Sequence, residues 1–161
     1  MSMDAVINAS PLIFLGKLER LQLLNQLFET VYIPVAVLDE VSTKTNTIKQ
    51  LGINNLIFEK LIVTNRIAVT GLLGRLHIGE VETIVGAVEH NIKAVVLDDN
   101  AARNKAKQFG LNVTGTLGVL LKARKMGLIE NLEQDILKLI NAGIHVSDEI
   151  IKRILVENKN P

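Results

Sequence analysis

Four carboxylates and one amide of this 161-residue chain are placed where they could act together. They stand at predicted strand ends or inside predicted helices, and they are Asn8, Glu40, Glu80, Asp98 and Asp99. Carboxylates that converge on one point repel one another unless a cation neutralises them. Oxygen ligands of this kind suit Mg²⁺ or Mn²⁺, which bind through a few carboxylates and keep several waters. We therefore predict a magnesium or manganese site.

Each of these residues also has an ordinary structural interpretation. Glu80 could simply stabilise the N-terminus of its helix, and Glu40 could be a solvated helix residue. Asp99 could cap a helix and pair with Arg103 four residues later. Asn8 could be a turn residue, because Asn tolerates turn conformations. Taken alone, Glu80 and Glu40 fit the structural interpretation better.

Other kinds of site find less support in the sequence. The chain has no Cys, which excludes disulfides, thiolate metal ligands and a thiol nucleophile. Its three histidines show no metal-ligand spacing, and His77, three residues before Glu80, is not expected to line a site. The glycines lack the signature of a phosphate-binding loop. Ser10 has no His and Asp partners in an order that would support a serine hydrolase.

Strands that alternate with helices must position the acidic residues. Strand-like runs are predicted at 4–7, 31–33, 94–97 and 111–113, and ambiguous short runs lie at 61–63 and 67–69. Helices are predicted at 11–28, 35–42, 79–91, 100–109, 116–127, 131–141 and 148–157, and 43–58 is predicted as a surface excursion. The first helix should begin with Ser10 as N-cap and Pro11 as its first residue.

This alternation implies an α/β fold of three layers, Rossmann-like, with a central parallel sheet flanked by helices. Ligands of such sheets bind beyond the carboxyl ends of the strands, where the acidic residues are expected. The length fits one domain over 1–161, with C-terminal helices at about 131–157.

Composition indicates a compact protein with an aliphatic core. Apolar residues make up 48% of the chain and aromatic residues only 3%. No apolar run reaches the roughly 18 residues that a membrane span needs. The N-terminus also lacks the pattern of a signal peptide. We therefore predict a cytoplasmic protein that does not use a membrane.

Basic residues are concentrated in one part of the chain. The net charge is +1, yet the stretch from Asn100 to Ile129 carries six basic residues and no acidic one. Arg103 and Lys107 follow Asp99 at steps of four, so they could extend one helix face toward an RNA backbone. Ordinary solvated helix faces are the plainer interpretation of the same charges.

Five motifs, in this order, resemble those of the PIN domain family. They are VINASPLI (6–13), IPVAVLDEV (33–41), GEVE (79–82), VVLDDNAAR (95–103) and VTGTLG (113–118). The similarity runs from about residue 4 to residue 155, and it is greatest to a prokaryotic PIN-like branch of predicted nucleic-acid-binding proteins. It implies a Rossmann-like sheet and metal-dependent endoribonuclease chemistry. Many relatives are toxins of toxin–antitoxin pairs (the VapC type), and many dimerise.

The resemblance carries the acidic site onto numbered residues of this chain. The family's acidic positions correspond to Asn8, Glu40, Glu80 and the Asp98-Asp99 pair, which would hold the metal, and the four carboxylates would be catalytic. Three hydroxyl residues in the matching motifs are expected to contact nucleic acid with Arg103 and Lys107, namely Ser10, Thr114 and Thr116. The resemblance further implies an RNA substrate, an antitoxin or other protein partner, and a homodimer.

Asn8 departs from the family pattern, in which classical nucleases have aspartate. An amide oxygen can still ligate a cation, but it brings no charge and should weaken Mg²⁺ binding. The alternative is therefore a catalytically degenerate PIN-like module that binds RNA or a protein partner. A phosphoacceptor domain is a third interpretation of Asp98-Asp99, but there the acidic pair follows the first strand, and here it follows a late one.

Overall fold

Five short parallel strands form one sheet at the centre of the fold. The structure is a computed structural model that describes residues 3–44 and 51–159, with side chains up to residue 156. The strands are β1 (Ala5–Ile7), β2 (Val31–Pro34), β3 (Glu59–Leu61), β4 (Ala94–Val96) and β5 (Asn112–Thr114), in the order β3-β2-β1-β4-β5. All neighbours are parallel. The predicted parallel α/β sheet flanked by helices is confirmed.

Nine α-helices are described along the same residues. They are α1 (Ala9–Lys17), α2 (Gln22–Leu27), α3 (Val35–Lys44), α4 (Arg66–Leu72), α5 (Ile78–Glu89), α6 (Asn100–Gln108), α7 (Thr116–Lys125), α8 (Leu132–Asn141) and α9 (Asp148–Lys159). The predicted surface excursion at 43–58 lies partly outside the described residues, and its remainder includes a 3₁₀ turn at Ile53–Asn55. None of the described helices is long and apolar enough to cross a membrane.

Two predictions of local structure are wrong, and one ambiguous run is resolved. The run at 67–69 belongs to α4, which Asn65 caps by accepting a hydrogen bond from Ala68 N. The helix predicted over 11–28 is divided between α1 and α2, because Glu19 adopts a positive φ of 58° there. Asn8, not Ser10, is the N-cap residue of α1, although its side chain makes no capping bond.

The two central strands are buried on both faces. Every residue of β1 and β4 is buried, and all six are Ala, Val or Ile. A continuous apolar run of this kind is typical of a parallel strand covered by helices on both sides. Asn8 directly follows β1, and Asp98 follows β4 after Leu97. Both residues therefore lie at the carboxyl edge of the sheet.

Helix α5 packs closely on the sheet at Gly86. A Cβ atom there would lie 2.6 Å from Leu61 Cδ2 and 3.0 Å from Val63 Cγ2. Leu61 and Val63 belong to the same apolar cluster as Val81, Ile84 and other residues of α5. The missing side chain therefore lets the helix approach β3, and this approach fixes the height of α5 above the sheet.

The described residues divide into two compact units, one up to Thr116 and one from Leu117 onward. The first unit contains the sheet and all of the predicted acidic residues. In the second unit α8 packs against α9. Ser147 caps α9, as its Oγ accepts a hydrogen bond from Ile150 N at 3.3 Å, which agrees with the predicted helix start.

We expect Gly86→Ala to destabilise the protein by about 1–2 kcal/mol. Overpacking a core costs about 1–3 kcal/mol, and the better helix propensity of alanine offsets about 0.5–1 kcal/mol of that cost. Denaturant unfolding would measure the change. Gly71→Ala in α4 is the matched control, because a Cβ there would meet nothing within 4 Å. Equal stability of the two variants would contradict this packing argument.

Candidate functional site

The start of α5 fixes the position of Glu80. His77 is the N-cap residue of this helix, and Glu80 is the third residue within it. The backbone N–H of His77 acts on the Glu80 carboxylate and lowers its pKa, as the N-cap N–H does to the N3 acid in a capping box. Val81 N donates to His77 O at 2.9 Å and closes the first turn. Local helix chemistry therefore holds this carboxylate at the carboxyl edge of the sheet.

Glu80 shares its surroundings with two other carboxylates, those of Glu40 and Asp99. Burial raises the pKa of Glu80 above its ordinary value, and the negative charges of Asp99 and Glu40 raise it further. The charge and the backbone N–H of His77 act in the opposite direction and lower it. Glu80 therefore lies within electrostatic reach of two acids from two other elements, α3 and the end of β4. His77, which was not expected to line a site, belongs to its surroundings.

Asn8 and Glu40 meet at Gly79. A Cβ on Gly79 would lie 3.1 Å from Glu40 Oε2 and 3.6 Å from Asn8 Oδ1, so both oxygens border the same bare stretch of backbone. Asn8 is only 4% exposed. Its Oδ1 lies 3.5 Å from the hydroxyl of Thr83, which donates mainly to Gly79 O at 2.8 Å. The amide oxygen of Asn8 thus borders the first turn of α5, the turn that carries Glu80.

Glu40 has a basic neighbour on its own helix. Lys44 Nζ lies 3.1 Å from Glu40 Oε1, and the lysine side chain is 60% exposed. An exposed pair of this kind contributes about 0–1 kcal/mol. The second carboxylate oxygen, Oε2, is the one beside Gly79 and Asn8. Lys44 therefore neutralises Glu40 only partly.

Asp99 caps α6, as its structural interpretation predicted, and its charge also reaches Glu80. Its Oδ2 accepts a hydrogen bond from Ala102 N at 2.9 Å and caps α6, while its charge raises the pKa of Glu80. Arg103 turns to the end of β4, where its Nη1 donates to Leu97 O at 2.9 Å. The helical spacing of Asp99 and Arg103 thus places both residues at this edge without directing the arginine along the helix face.

Asp98 is engaged with Thr116. Its Oδ1 accepts from Thr116 N and its Oδ2 from Thr116 Oγ1, both at 2.7 Å. Thr116 is fully buried, so its hydroxyl is not presented to an outside ligand. A Cβ on Gly115 would lie 2.9 Å from Arg103 Nη1 and 3.0 Å from Asp98 Oδ1. The Thr114-Gly115-Thr116 motif therefore closes around Asp98 and Arg103.

The remaining candidates make no bond with this acidic group among the described residues. Ser10 is half-buried in the first turn of α1, Thr114 is half-buried at the end of β5, and Lys107 is exposed on α6. Within 3–44 and 51–159, none of these three side chains forms a recorded bond with Asn8 or with the carboxylates. What the fold brings together is Asn8 with Glu40, Glu80 and Asp99.

Glu82 belongs to the same GEVE motif as Glu80, but it has a structural role. It is buried, and its Oε1 accepts from Ala36 N at 3.1 Å, while Oε2 pairs with Arg66 Nη1 at 2.8 Å. These bonds tie α5 to the starts of α3 and α4. The two-residue spacing of Glu80 and Glu82 places them on different sides of the helix, which is the signal in the sequence that separates their roles.

The donor types fit a hard divalent cation. Three carboxylates and one amide oxygen supply the ligands that Mg²⁺ and Mn²⁺ prefer. The pKa of Glu80 is raised first by burial and then by the charges of Asp99 and Glu40, and a cation would favour the ionised carboxylate against all three. Among the described residues, no group of three or more His, Asp or Glu is arranged closely enough to hold a metal ion. The residues therefore fit in chemistry, while their present spacing is wider than a formed ligand cage.

A cavity of about 330 Å³ lies elsewhere on the first unit. It is lined mainly by apolar side chains of α4 and α5, such as Leu72, Ile84 and Val88, and by Phe109 after α6. Its carboxylate, Glu89, accepts from Thr64 N, Thr64 Oγ1 and Asn65 N, and these bonds lower the pKa of Glu89. None of the acidic residues described above lines this cavity.

A parallel sheet with acids gathered at its carboxyl edge defines a PIN-like α/β domain. A family model described as DUF3368, PIN domain, matches residues 4–160, and the chain therefore belongs to the PIN domain family. The solved structure of a PilT N-terminus domain protein from the hyperthermophilic archaeon Sulfolobus solfataricus P2 is 23% identical, with a TM-score of 0.57 over 75% of this chain and 93% of that one. This similarity shows the fold alone. No curated protein gives a significant match.

Family membership supports nuclease function and nucleic-acid binding in general terms. It agrees with the predicted resemblance, and it places no metal and no RNA in this chain. The finer claims depend on the residues at the carboxyl edge of the sheet.

We expect Glu80→Gln to stabilise the metal-free protein at neutral pH. Because the pKa of Glu80 is raised on folding, ionised Glu80 opposes folding at pH values above its folded pKa. This penalty is lost as the pH falls toward the ordinary value, about 4.3. Thermal unfolding in a chelating buffer should show a higher midpoint for the variant at pH 7, and a difference that shrinks by about pH 4. Glu130→Gln, an exposed position, is the control. A variant less stable than the native chain at pH 7 would contradict the repulsion.

We expect Asp98→Asn to lower the free energy of unfolding by about 2 kcal/mol. The amide would present an NH₂ group to one of the two Thr116 donors, and a hydrogen bond to a charged group contributes about 1.5–3 kcal/mol. Thr116→Ser keeps both donors and serves as the conservative comparison, while Thr116→Val removes one. If Asp98→Asn and Thr116→Val destabilise additively when combined, the two residues are not coupled and the role assigned to Asp98 is wrong.

Proposed function

We propose that this chain is a metal-dependent endoribonuclease that cleaves single-stranded RNA. The observation that carries the proposal is the convergence of Glu40, Glu80 and Asp99 beside the buried amide of Asn8, reported by the raised pKa of Glu80. Membership of the PIN domain family supports nuclease chemistry in general. The RNA substrate, the divalent metal and the cleavage of a phosphodiester bond within the RNA are parts of this proposal.

The proposed metal ligands are Asn8, Glu40, Glu80 and Asp99. A bound Mg²⁺ or Mn²⁺ would lower the pKa of a water and stabilise negative charge on the phosphate. Asp99 accepts a hydrogen bond from Ala102 N, and His77 N–H acts on the Glu80 carboxylate. These contacts keep both carboxylates at the edge of the sheet, and a bound cation would draw the group together from its present wider spacing. Both carboxylates keep acceptor capacity for a metal.

Asp98 supports the site from within the protein. The predicted set included Asp98 as a catalytic residue and metal ligand, but both of its oxygens accept hydrogen bonds from Thr116. We propose that it positions the end of β4, from which Asp99 emerges. Its carboxylate holds Thr116, and Arg103 donates to the neighbouring carbonyl of Leu97.

The proposed RNA contacts come from α6. Lys107 is exposed and Arg103 is half-buried beside Gly115, so Lys107 is the more accessible phosphate contact of the two. Their contribution would be independent of base sequence and would fall with salt. Ser10 and Thr114 remain proposed contacts, and the buried hydroxyl of Thr116 is engaged with Asp98.

A binding module without catalysis is the second candidate. Asn8 favours it, since the amide leaves the site one negative charge short of the family pattern described above. In this case the chain would bind RNA or a protein partner. An antitoxin partner, a toxin role, a homodimer and a cytoplasmic location stay predictions from the sequence and its resemblance.

Titration of Mn²⁺ by calorimetry tests the proposed site. We expect the native chain to bind Mn²⁺ and the Glu80→Ala, Asp99→Ala double variant to lose the binding. Asn8→Asp should bind more tightly by about tenfold or more, because a nearby negative charge adds Coulomb attraction. The same variant should unfold at a lower temperature without metal, since it adds a buried charge beside Glu40.

Three outcomes separate the candidates. RNA cleavage by the native chain that requires Mn²⁺ supports the nuclease. Cleavage that appears only in Asn8→Asp marks a degenerate site and favours the binding module. Absence of Mn²⁺ binding at millimolar concentrations in both the native chain and Asn8→Asp would reject the metal site. Glu130→Ala, at an exposed position far along the chain, controls for adventitious binding.

A further inference from the structure

A second stretch without acidic residues leads directly into the acidic site. From Lys60 to Gly79 the chain carries three basic residues, Lys60, Arg66 and Arg75, and no Asp or Glu. The stretch ends at the turn between α4 and α5, residues 73–77, which we call the elbow. The two acids that contact this stretch from α5 are both engaged, because Glu82 pairs with Arg66 and Glu89 accepts hydrogen bonds from Thr64 and Asn65.

The elbow presents Arg75 from a tight, anchored turn. Leu73 and Leu76 form an isolated β-bridge, and Leu73 N donates to Val69 O at 3.2 Å. Leu76 is buried at 5% exposure, so it holds the turn to the core. Gly74 has a φ of 129°, in the region that favours glycine. Gly74 and Arg75 are both exposed between the two leucines, so Arg75 is the charged side chain that the turn presents.

Helix α5 places the elbow and α6 around the same residue. It packs against α4 and against α6, and its first turn carries Glu80. His77, the last residue of the elbow, is the N-cap of α5 and stands three residues before Glu80. The elbow therefore leads directly into the helical turn that carries Glu80, and the same helix packs against α6, which carries Arg103 and Lys107.

Arg75 is available where its neighbours are engaged. Arg66 pairs with Glu82 at 2.8 Å, and Arg103 donates to Leu97 O. In the part of the chain that the structure describes, Arg75 has no recorded bond or ion pair. Two apolar side chains near Arg75 in the chain are also exposed. They are Leu73, the first residue of the elbow, at 45%, and Ile78, the residue after the elbow, at 40%. A cation beside exposed apolar surface suits a single strand, which presents both phosphates and base faces.

We propose that the elbow is a second RNA-binding element, in which Arg75 contacts a phosphate of single-stranded RNA and Leu73 and Ile78 contact its bases. The strand would then pass over the acidic group with one phosphate contact on the elbow and others on α6. This assignment rests on the proposed function for its ligand, but it concerns binding and does not require cleavage.

Binding of a labelled single-stranded RNA to the full chain at several salt concentrations, with a chelator present, tests the elbow. We expect Arg75→Ala to weaken binding about fivefold at about 0.1 M salt, and to reduce the slope of log affinity against log salt by about 0.7, the value for one phosphate contact on a single strand. Arg75→Lys should keep most of the slope. Lys93→Ala is the matched control, since Lys93 is exposed before β4, at the opposite edge of the sheet.

The outcomes distinguish the elbow from the nuclease proposal. Identical affinities and salt slopes for Arg75→Ala and Lys93→Ala would overturn the elbow, and so would an absence of RNA binding by the native chain. If Arg75→Ala weakens binding as expected but no variant cleaves RNA with Mn²⁺, the elbow stands and the nuclease proposal fails. Thermal unfolding of Arg75→Ala, expected to match the native chain, excludes a folding defect.

Discussion

Repulsion between like charges is the constraint that organises the carboxyl edge of this sheet. Parallel strands all end on the same side, so the residues that follow β1 and β4 must emerge close together. The acids on α3 and α5 are brought to the same place by the packing of these helices on each other. The protein limits the resulting cost with N–H and O–H groups near each acid: His77 N–H acts on Glu80, Ala102 N donates to Asp99, and Thr116 donates to Asp98 from the start of α7.

Two glycines make this crowding geometrically feasible. Gly79 leaves room for oxygens of Glu40 and Asn8, and Gly115 leaves room for Arg103 and Asp98. At both positions an added methyl group would meet polar atoms within 3.1 Å. Neither glycine has a positive φ, so space and not backbone conformation requires them. At Gly79 and Gly115, one in each of two motifs that resemble the PIN family, polar neighbours thus occupy the volume that a side chain would need.

The sequence predicts the fold well wherever a pattern is local and long. The apolar runs of β1 and β4 placed Asn8 and Asp98 at strand ends, because buried parallel strands are continuously apolar. The run at 67–69 was ambiguous in the sequence, since three apolar residues look alike in a strand and in a helix, and the structure places it in α4 after the Asn65 cap. The contact of Asp98 with Thr116 was beyond local reading, because it depends on the pairing of β4 with β5.

Lys44 gives the acidic group a detachable countercharge. Its ammonium lies on the outer oxygen of Glu40, is largely solvated, and is carried by a flexible stem. An incoming divalent cation would therefore not meet a bare carboxylate but would exchange with a bound monovalent one. The net gain is the difference between two attractions, and it is smaller than the charge count of the site implies. Because of this exchange, the fraction of chains that hold a divalent cation would change gradually with the ionic strength of the solution.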